Sequence, residues 1–297
     1  MTMIIEWLKA VLYGIVEGVT EWLPISSTGH LILLEEWLPF RFAADDAFMS
    51  EFWEMFQVVI QLGAILAVVL LFWIRLWPFS FKKTSREERR SIWTLWFKIA
   101  LASVPAALIG IVGDKILEEL TGKDINGWVG HYTVVAAALV VYGVAFIVIE
   151  RRRKGEVCAV DRVEDISYSK AFWIGCFQAL SILPGTSRSG STILGSMLLG
   201  LSRTAGAEFS FFMAIPAMAG GSSVKLLGFF SWVGDTGVRV PAQAWVVLAI
   251  GFVVAFFVSL AVIRFLMDFV KKHSFASFGV YRIVLGAIIL LYWVLTR

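Results

Sequence analysis

The sequence predicts an all-α integral membrane protein: six transmembrane helices plus two re-entrant helical hairpins, arranged as an inverted-topology repeat. Composition is the first reason. Of 297 residues, 59% are hydrophobic and 16% charged, with mean hydropathy +0.79. A soluble domain carries roughly 25% charged residues, so this chain lacks the groups that cover a water-facing surface. The second reason is six stretches long enough to cross a hydrocarbon core, which takes about 20 mostly apolar residues. The third is a pair of further apolar stretches, each interrupted by proline, glycine and hydroxyl residues. A disordered chain is excluded by the same numbers, because apolar content is high and net charge is only +3. Cys158 and Cys176 give neither a disulfide framework nor zinc-ligand spacing.

The first apolar stretch, 4–38, is broken by Glu17, Glu21 and the loop Pro24-Ile25-Ser26-Ser27-Thr28-Gly29-His30. Irregular backbone at membrane depth is tolerated only where it is buried in protein or lines a wet cavity, so this reads as a re-entrant hairpin. A straight helix from Ile4 to Glu21 would be about 26 Å long at 1.5 Å per residue, so it must tilt or start above the membrane. Spans follow at 56–76, 93–112 and 128–149, completing a first repeat over 1–150. A basic loop covers 151–170. The second repeat, 171–297, opens with a hairpin over 171–201, broken at Leu183-Pro184-Gly185-Thr186-Ser187-Arg188-Ser189-Gly190, and continues with spans at 208–230, 244–267 and 278–296. Each hairpin carries Leu-Pro-x-x-Ser, at Leu23 to Ser27 and Leu183 to Ser187. Three spans per half is an odd number, so the halves are inverted and their hairpin tips can meet near the midplane, with a site at the repeat interface.

Orientation follows from lysine and arginine. Six basic residues lie between Arg75 and Ile92 (Arg75, Lys82, Lys83, Arg86, Arg89, Arg90), and six between 150 and 170 (Arg151, Arg152, Arg153, Lys154, Arg162, Lys170). Three more, Arg264, Lys271 and Lys272, lie near 264–273. The other connections hold only Lys115 and Lys123, or Arg239. The positive-inside rule puts the rich loops in the cytoplasm and 25–55, 113–127, 231–243 and the C-terminus outside. Trp73, Trp77, Trp93, Trp128, Trp232, Trp245 and Trp293 sit at expected span ends, as an aromatic belt would. The N-terminal stretch lacks a signal peptide's basic n-region and clean apolar core.

Glu17 and Glu21 are one helical turn apart, on one face. Intramembrane acidic residues cost roughly 2.5–3.5 kcal/mol each on insertion scales, and like charges at this spacing repel. Either the helix end is wet and the pair simply solvated, or the two share a proton or recruit a cation. Ser26, Ser27, Thr28 and His30 follow at once. Ordinary capping needs one hydroxyl and no histidine, so this cluster reads as functional. In the second motif a flexible hydroxyl-rich loop at a helix start points N–H groups at an anion. Arg188 adds a planar fork suited to phosphate oxygens; snorkelling or pairing with a glutamate is the plain alternative. Taken alone, these features give an anion site between two inverted hairpins, with carboxylates, a histidine, serines and an arginine converging.

The run Glu17 to His30, together with Leu183 to Thr192, resembles the two signature motifs of the bacterial undecaprenyl-diphosphatase (bacitracin-resistance protein) family. Phe56 to Ala67, with Gln57, Gln61 and Gly63, and Glu208 to Pro216 resemble further blocks of that family, so the likeness covers essentially the whole chain. The acid-phosphatase-like lipid phosphatases are different: they need a histidine about six residues after the Ser-Arg pair, and Ser189 to Leu194 contain none.

The resemblance implies hydrolysis of undecaprenyl diphosphate to the monophosphate, recycling the carrier lipid of peptidoglycan synthesis and conferring bacitracin resistance. It implies a multi-pass protein of the bacterial inner membrane whose site faces the periplasm or exterior. It also implies that Ser187, Arg188, Thr192 and Ser26 bind the substrate phosphate, and a divalent cation, Mg²⁺ or Ca²⁺, with Glu17 and Glu21 as candidate ligands. Partners are the polyprenyl diphosphate substrate and membrane lipids, with no nucleic acid, and a homodimer is the candidate assembly. Two mechanisms stand. In one, Ser27 attacks the terminal phosphorus while Glu21 or His30 removes its proton; in the other, Glu21 or His30 activates water directly, and Glu17 is the remaining catalytic candidate. A rival from another class is a transporter that flips a lipid phosphate through the same inverted-repeat site.

Overall fold

The computed structural model describes residues 2–79, 85–110, 119 and 132–295. Among them the regular structure is helical, apart from one isolated bridge between Val160 and Leu201. In chain order the helices are α1 (Thr2–Thr20), α2 (Ser27–Trp37), α3 (Asp46–Leu71), the short α4 (Trp73–Leu76), α5 (Arg86–Leu108), α6 (Tyr132–Arg152), α7 (Tyr168–Ala179), α8 (Arg188–Leu198), α9 (Arg203–Thr236), α10 (Ala242–Lys272) and α11 (Ala276–Leu295). Six of these, α3, α5, α6, α9, α10 and α11, are long and apolar enough to cross a membrane. Trp73, Trp77 and Trp245 are exposed at or beside helix ends, and Trp93, also exposed, lies two turns inside α5; Trp128, Lys82, Lys83, Lys115 and Lys123 lie outside the described residues.

Helix starts differ most from the expected boundaries. The span expected at 56–76 begins ten residues earlier, at Asp46, and breaks after Leu71. Asp46, Glu51 and Glu54 depress its local hydropathy, yet Phe48, Phe52, Met55 and Phe56 fall on one buried face. Asp45 caps it by accepting from the Phe48 N–H at 3.1 Å. The span expected from 93 starts at Arg86, where Ser85 and Glu88 form a reciprocal capping box. The span expected at 208–230 runs from Arg203 to Thr236. In each case polar residues at a wet end conceal helix that the apolar count leaves out.

The helices gather into two compact units that interleave along the chain. The first takes Met1–Trp22, His30–Trp73 and Ala214–Arg264; the second takes Leu23–Gly29, Ile74–Met213 and Phe265–Arg297.

In the first unit α1 lies directly on α10. A Cβ on Gly14 would fall 2.7 Å from the Gly251 carbonyl oxygen, and one on Gly18 would fall 2.8 Å from Val258 Cβ. Gly14 and Gly18 form the small-xxx-small spacing that lets helix backbones touch, and Ser259 donates to the Gly18 carbonyl at 3.5 Å. This contact fixes the height and rotation of the helix that carries Glu17 and Glu21. Beside it, Tyr13, Phe40, Phe52, Trp53 and Phe56 pack ring against ring. Lys9 closes the base of α1 and α2, donating to Glu6 at 2.8 Å and to the Pro39 carbonyl at 2.6 Å.

In the second unit α6 and α11 run antiparallel, with Gly143 and Gly279 each so close to the other's carbonyl that a Cβ would sit 2.6 Å from it. Gly175 brings α7 onto α5 at Ala102, and Gly195 brings α8 onto the Phe177 ring of α7. The ends are tied by ions. Arg203 donates twice to the buried Glu150 (2.8 and 2.6 Å), which also accepts from the Phe275 N–H at 2.8 Å. Arg75 pairs with both Glu208 and Glu164, and Lys98 donates to the Glu164 carbonyl at 2.7 Å.

Candidate functional site

The two motif loops share one local geometry. Ser26 precedes α2 and Ser187 precedes α8, and each hydroxyl accepts from the N–H of the glycine three residues on, Gly29 at 3.3 Å and Gly190 at 3.2 Å. Ser26 and Ser187 are also the two non-glycine residues with positive φ among those described, at 75° and 66°. An L-residue held there costs of order 1–3 kcal/mol and persists only when its surroundings over-determine it. Two strained serines at two capped helix starts mark these loops as built features.

The shared geometry shifts the correspondence between the motifs by one residue. Leu-Pro-x-x-Ser matches Ser27 with Ser187, whereas the caps match Ser26 with Ser187, Ser27 with Arg188, and Gly29 with Gly190. The second loop holds one extra residue between its proline and its cap. Gly185, at φ 90°, takes up the difference, and a Cβ there would lie 2.5 Å from the Val135 carbonyl oxygen.

Leu23–Gly29 and the second loop lie in the same unit and touch. Ser189 donates to the Leu23 carbonyl at 3.3 Å and sits 3.2 Å from the Ser187 hydroxyl. Between the loops lies Arg282 of α11, wholly buried. It donates to the Pro24 carbonyl at 3.1 Å and to the Gly185 and Thr186 carbonyls at 2.7 and 2.9 Å. Its guanidinium carbon stands 5.3 Å from the centre of the Tyr142 ring, whose hydroxyl reaches Ser191 at 3.2 Å. Sequence reasoning missed Arg282. The signal was there: an arginine amid an apolar span is a functional candidate by default.

Arg188 is the first residue of α8 and donates to the Ser210 carbonyl of α9 at 2.8 Å. Thr192 is buried, with its hydroxyl 2.6 Å from the Ser210 hydroxyl and 2.9 Å from the Arg188 carbonyl. Ser210, not singled out from sequence, therefore anchors both. Thr192 is engaged in holding Arg188's turn, while Arg188 is half-buried at the helix start. Ser27 is buried at the corresponding start of α2.

Glu17, Glu21 and His30 belong to the first unit. Glu17 is 0% exposed and Glu21 7%; Glu21 continues the turn of α1 through its N–H to the Glu17 carbonyl at 3.0 Å. The pair is therefore not at a wet helix end, which disposes of simple solvation. Among the described residues no group of three or more His, Cys, Asp or Glu is arranged to hold a metal ion. Two carboxylates one turn apart are nonetheless a donor set suited to Mg²⁺ or Ca²⁺ when phosphate oxygens and water complete the shell.

A basic cavity of about 330 Å³ lies elsewhere in the second unit, near the C-terminal end of α8. Its arginines are spent: Arg203 on Glu150, and Arg153 on the Met197 and Leu201 carbonyls at 2.7 and 2.9 Å.

The fold and these loops define a class: polytopic helical membrane proteins with buried, hydroxyl-capped loops held by intramembrane arginine. Comparison with known proteins narrows it. The family model described as bacitracin resistance protein BacA matches residues 10–288. The undecaprenyl-diphosphatase of Enterococcus faecalis is 49% identical over 289 residues, covering 97% of each chain. That of Acetivibrio thermocellus is 45% identical, covering 99% of this chain and all of its own. That of Streptococcus pyogenes serotype M1 is 48% identical, covering 98% of this chain and 97% of its own. The chain belongs to the bacitracin resistance protein BacA family.

Proposed function

We propose that this protein is an undecaprenyl-diphosphate phosphatase, cleaving the terminal phosphate from undecaprenyl diphosphate. The observation that carries the reading is the joining of the two motif loops, each opening a capped helix, in a chain 45–49% identical along nearly its whole length to proteins named for this reaction. Paired helix starts offer N–H donors and positive dipole ends to an anion. Arg188, at the first position of α8, supplies the permanently charged fork. Phosphoryl transfer gains most from such positioning and charge stabilisation.

The roles follow from chemistry. Arg188, Ser187 and Ser26 hold the phosphoryl oxygens, with Thr192 orienting Arg188 through Ser210. Ser27, the counterpart of Arg188 on α2, is the candidate nucleophile, and Glu21 or His30 takes its proton; water activated by the same groups is the other route. A divalent cation, held by Glu17 and Glu21, would neutralise charge on the diphosphate. The common cap geometry of Ser26 and Ser187 favours reading the two broken segments as re-entrant hairpins of an inverted repeat. The distribution of basic residues supports a site on the periplasmic or exterior side of the bacterial inner membrane.

Lipid-phosphate transport would use the same donors, but the relatives are named for hydrolysis. Inorganic phosphate release by the purified protein in detergent separates the two, since no second compartment exists there. Release from undecaprenyl diphosphate supports the phosphatase; binding without release supports the transporter.

A further inference from the structure

We infer that Arg282 is a positioning residue for the phosphatase site, a carbonyl clamp that holds the first and second motif loops in mutual register. The proposal rests on the phosphatase reading only for its effect on turnover; the clamp itself is a matter of geometry.

Arg282 is fully buried in α11, and no carboxylate pairs with it among the described residues. Its Nε has no hydrogen-bond partner among them. What accepts from it are three backbone oxygens, Pro24 of one loop and Gly185 and Thr186 of the other. These residues stand just before the two positive-φ serines, Ser26 and Ser187. A strained residue stays strained only if its neighbours are fixed, and here one guanidinium fixes the neighbours of both. The planar fork suits the task, because its donors diverge at set angles and reach several acceptors at once. A lysine ammonium sits on a flexible stem and has no such geometry.

The packing on either side agrees. A Cβ on Gly190 would lie 2.9 Å from Arg282 Nη1, so the first turn of α8 leaves room for the guanidinium and nothing more. Tyr142 covers its face and ties that face to α8 through Ser191. Arg282 is thereby held from α6 and α8 while it holds the loops. Both helix starts that would receive the phosphate, at Ser27 and Arg188, are within three residues of a clamped carbonyl. Reacting groups displaced by about 1 Å can lose on the order of a hundredfold in rate, so loosening the clamp acts on chemistry without removing a phosphate ligand.

The test compares wild type, Arg282→Lys and Arg282→Gln as full-length proteins in detergent, by phosphate release and by amide hydrogen exchange. Wild-type turnover is measured first; if it is absent, the phosphatase reading fails while the exchange measurement still tests the clamp. The clamp predicts that Arg282→Lys exchanges about tenfold faster in both loops, 23–29 and 184–191, with α6 and α11 unchanged, since released hydrogen bonds open locally. It predicts that kcat falls about a hundredfold while KM changes less than about threefold, because ligands survive and alignment does not. Arg282→Gln behaves the same or worse; should it fail to fold, the lysine variant decides alone. Unchanged exchange in the loops, faster exchange in only one of them, or kcat within about twofold of wild type overturns the proposal.

Discussion

Ser187 offers the sharpest test of the loop geometry, through replacement by glycine and by alanine. It stands at φ 66°, ψ 129°, and its hydroxyl accepts from the Gly190 N–H at 3.2 Å. The φ costs an L-residue of order 1–3 kcal/mol. Loss of the cap costs about 0.5–2 kcal/mol on going to alanine but only a few tenths to glycine. Glycine removes the strain, although it raises unfolded-state entropy by up to about 1 kcal/mol. Ser187→Gly should therefore be at least as stable as wild type. Ser187→Ala keeps the strain and loses the cap, so it should fall below wild type by about 1 kcal/mol. Thermal unfolding in detergent, followed by far-ultraviolet circular dichroism, reads the order. Both variants should lose turnover, because both lack the hydroxyl assigned to the phosphate. An alanine variant as stable as the glycine one would refute the positive-φ argument, and with it the claim that this loop stores strain.

Three further outcomes follow from named contacts. Arg188→Lys keeps the charge but not the fork, and should lose most turnover while the protein stays folded; if it and Arg188→Ala both kept near-wild-type rates, Arg188 would not be a phosphate ligand. Single-turnover hydrolysis, with binding measured separately, should show Ser27→Ala abolishing the chemical step while substrate still binds; substantial turnover would remove the covalent route and leave water activated by Glu21 or His30. Glu164 lies in the loop before α7. Burial pushes its carboxyl up, but its own backbone N–H and the Arg75 hydrogen bond and charge outweigh that and hold it below the usual range. A carboxyl whose folded value is depressed stabilises fully above its unfolded value and loses that contribution as pH falls through the folded one. Glu164→Gln should then lower the unfolding temperature at neutral pH, and the gap should close on acidification; a gap constant with pH would exclude the ionised pair as its source.

The parts legible in the sequence were those written in continuous stretches. Six apolar runs gave six membrane-length helices because hydropathy over about 20 residues reports the spanning requirement directly. The motif loops were legible because proline, glycine and hydroxyls cluster where apolar helix should continue. Boundaries were less so, since Asp46, Glu51 and Glu54 mask the periodic burial of Phe48, Phe52 and Phe56. The likeness of the two loops is only partly legible, because Leu-Pro is visible in sequence, whereas the positive φ at Ser26 and Ser187, which sets the caps one residue out of step with that motif, is not. Arg282 was passed over for a different reason. One arginine in an apolar run of 20 scarcely changes its mean hydropathy, and its acceptors lie 258 and 97 positions away.

Arg282 also bears on why the candidate site uses two loops. An arginine inside the bilayer is costly by several kcal/mol unless its donors are satisfied, and a helix satisfies none of them, because its own carbonyls are taken. Irregular backbone supplies what α11 cannot: the carbonyls of Pro24, Gly185 and Thr186 accept from the guanidinium. Conversely, irregular backbone buried away from water needs partners for those same carbonyls, and a single arginine provides them for both loops. Each feature would be unfavourable alone, and each removes the other's penalty. The pairing also leaves net positive charge beside two helix N-termini, because among the described residues no carboxylate pairs with Arg282. A fixed cation next to paired N–H donors in a poorly polarisable medium attracts an anion far more strongly than it would in water. The arrangement that satisfies the loop carbonyls thus also leaves positive charge at both helix starts, which is what the proposed diphosphate site requires.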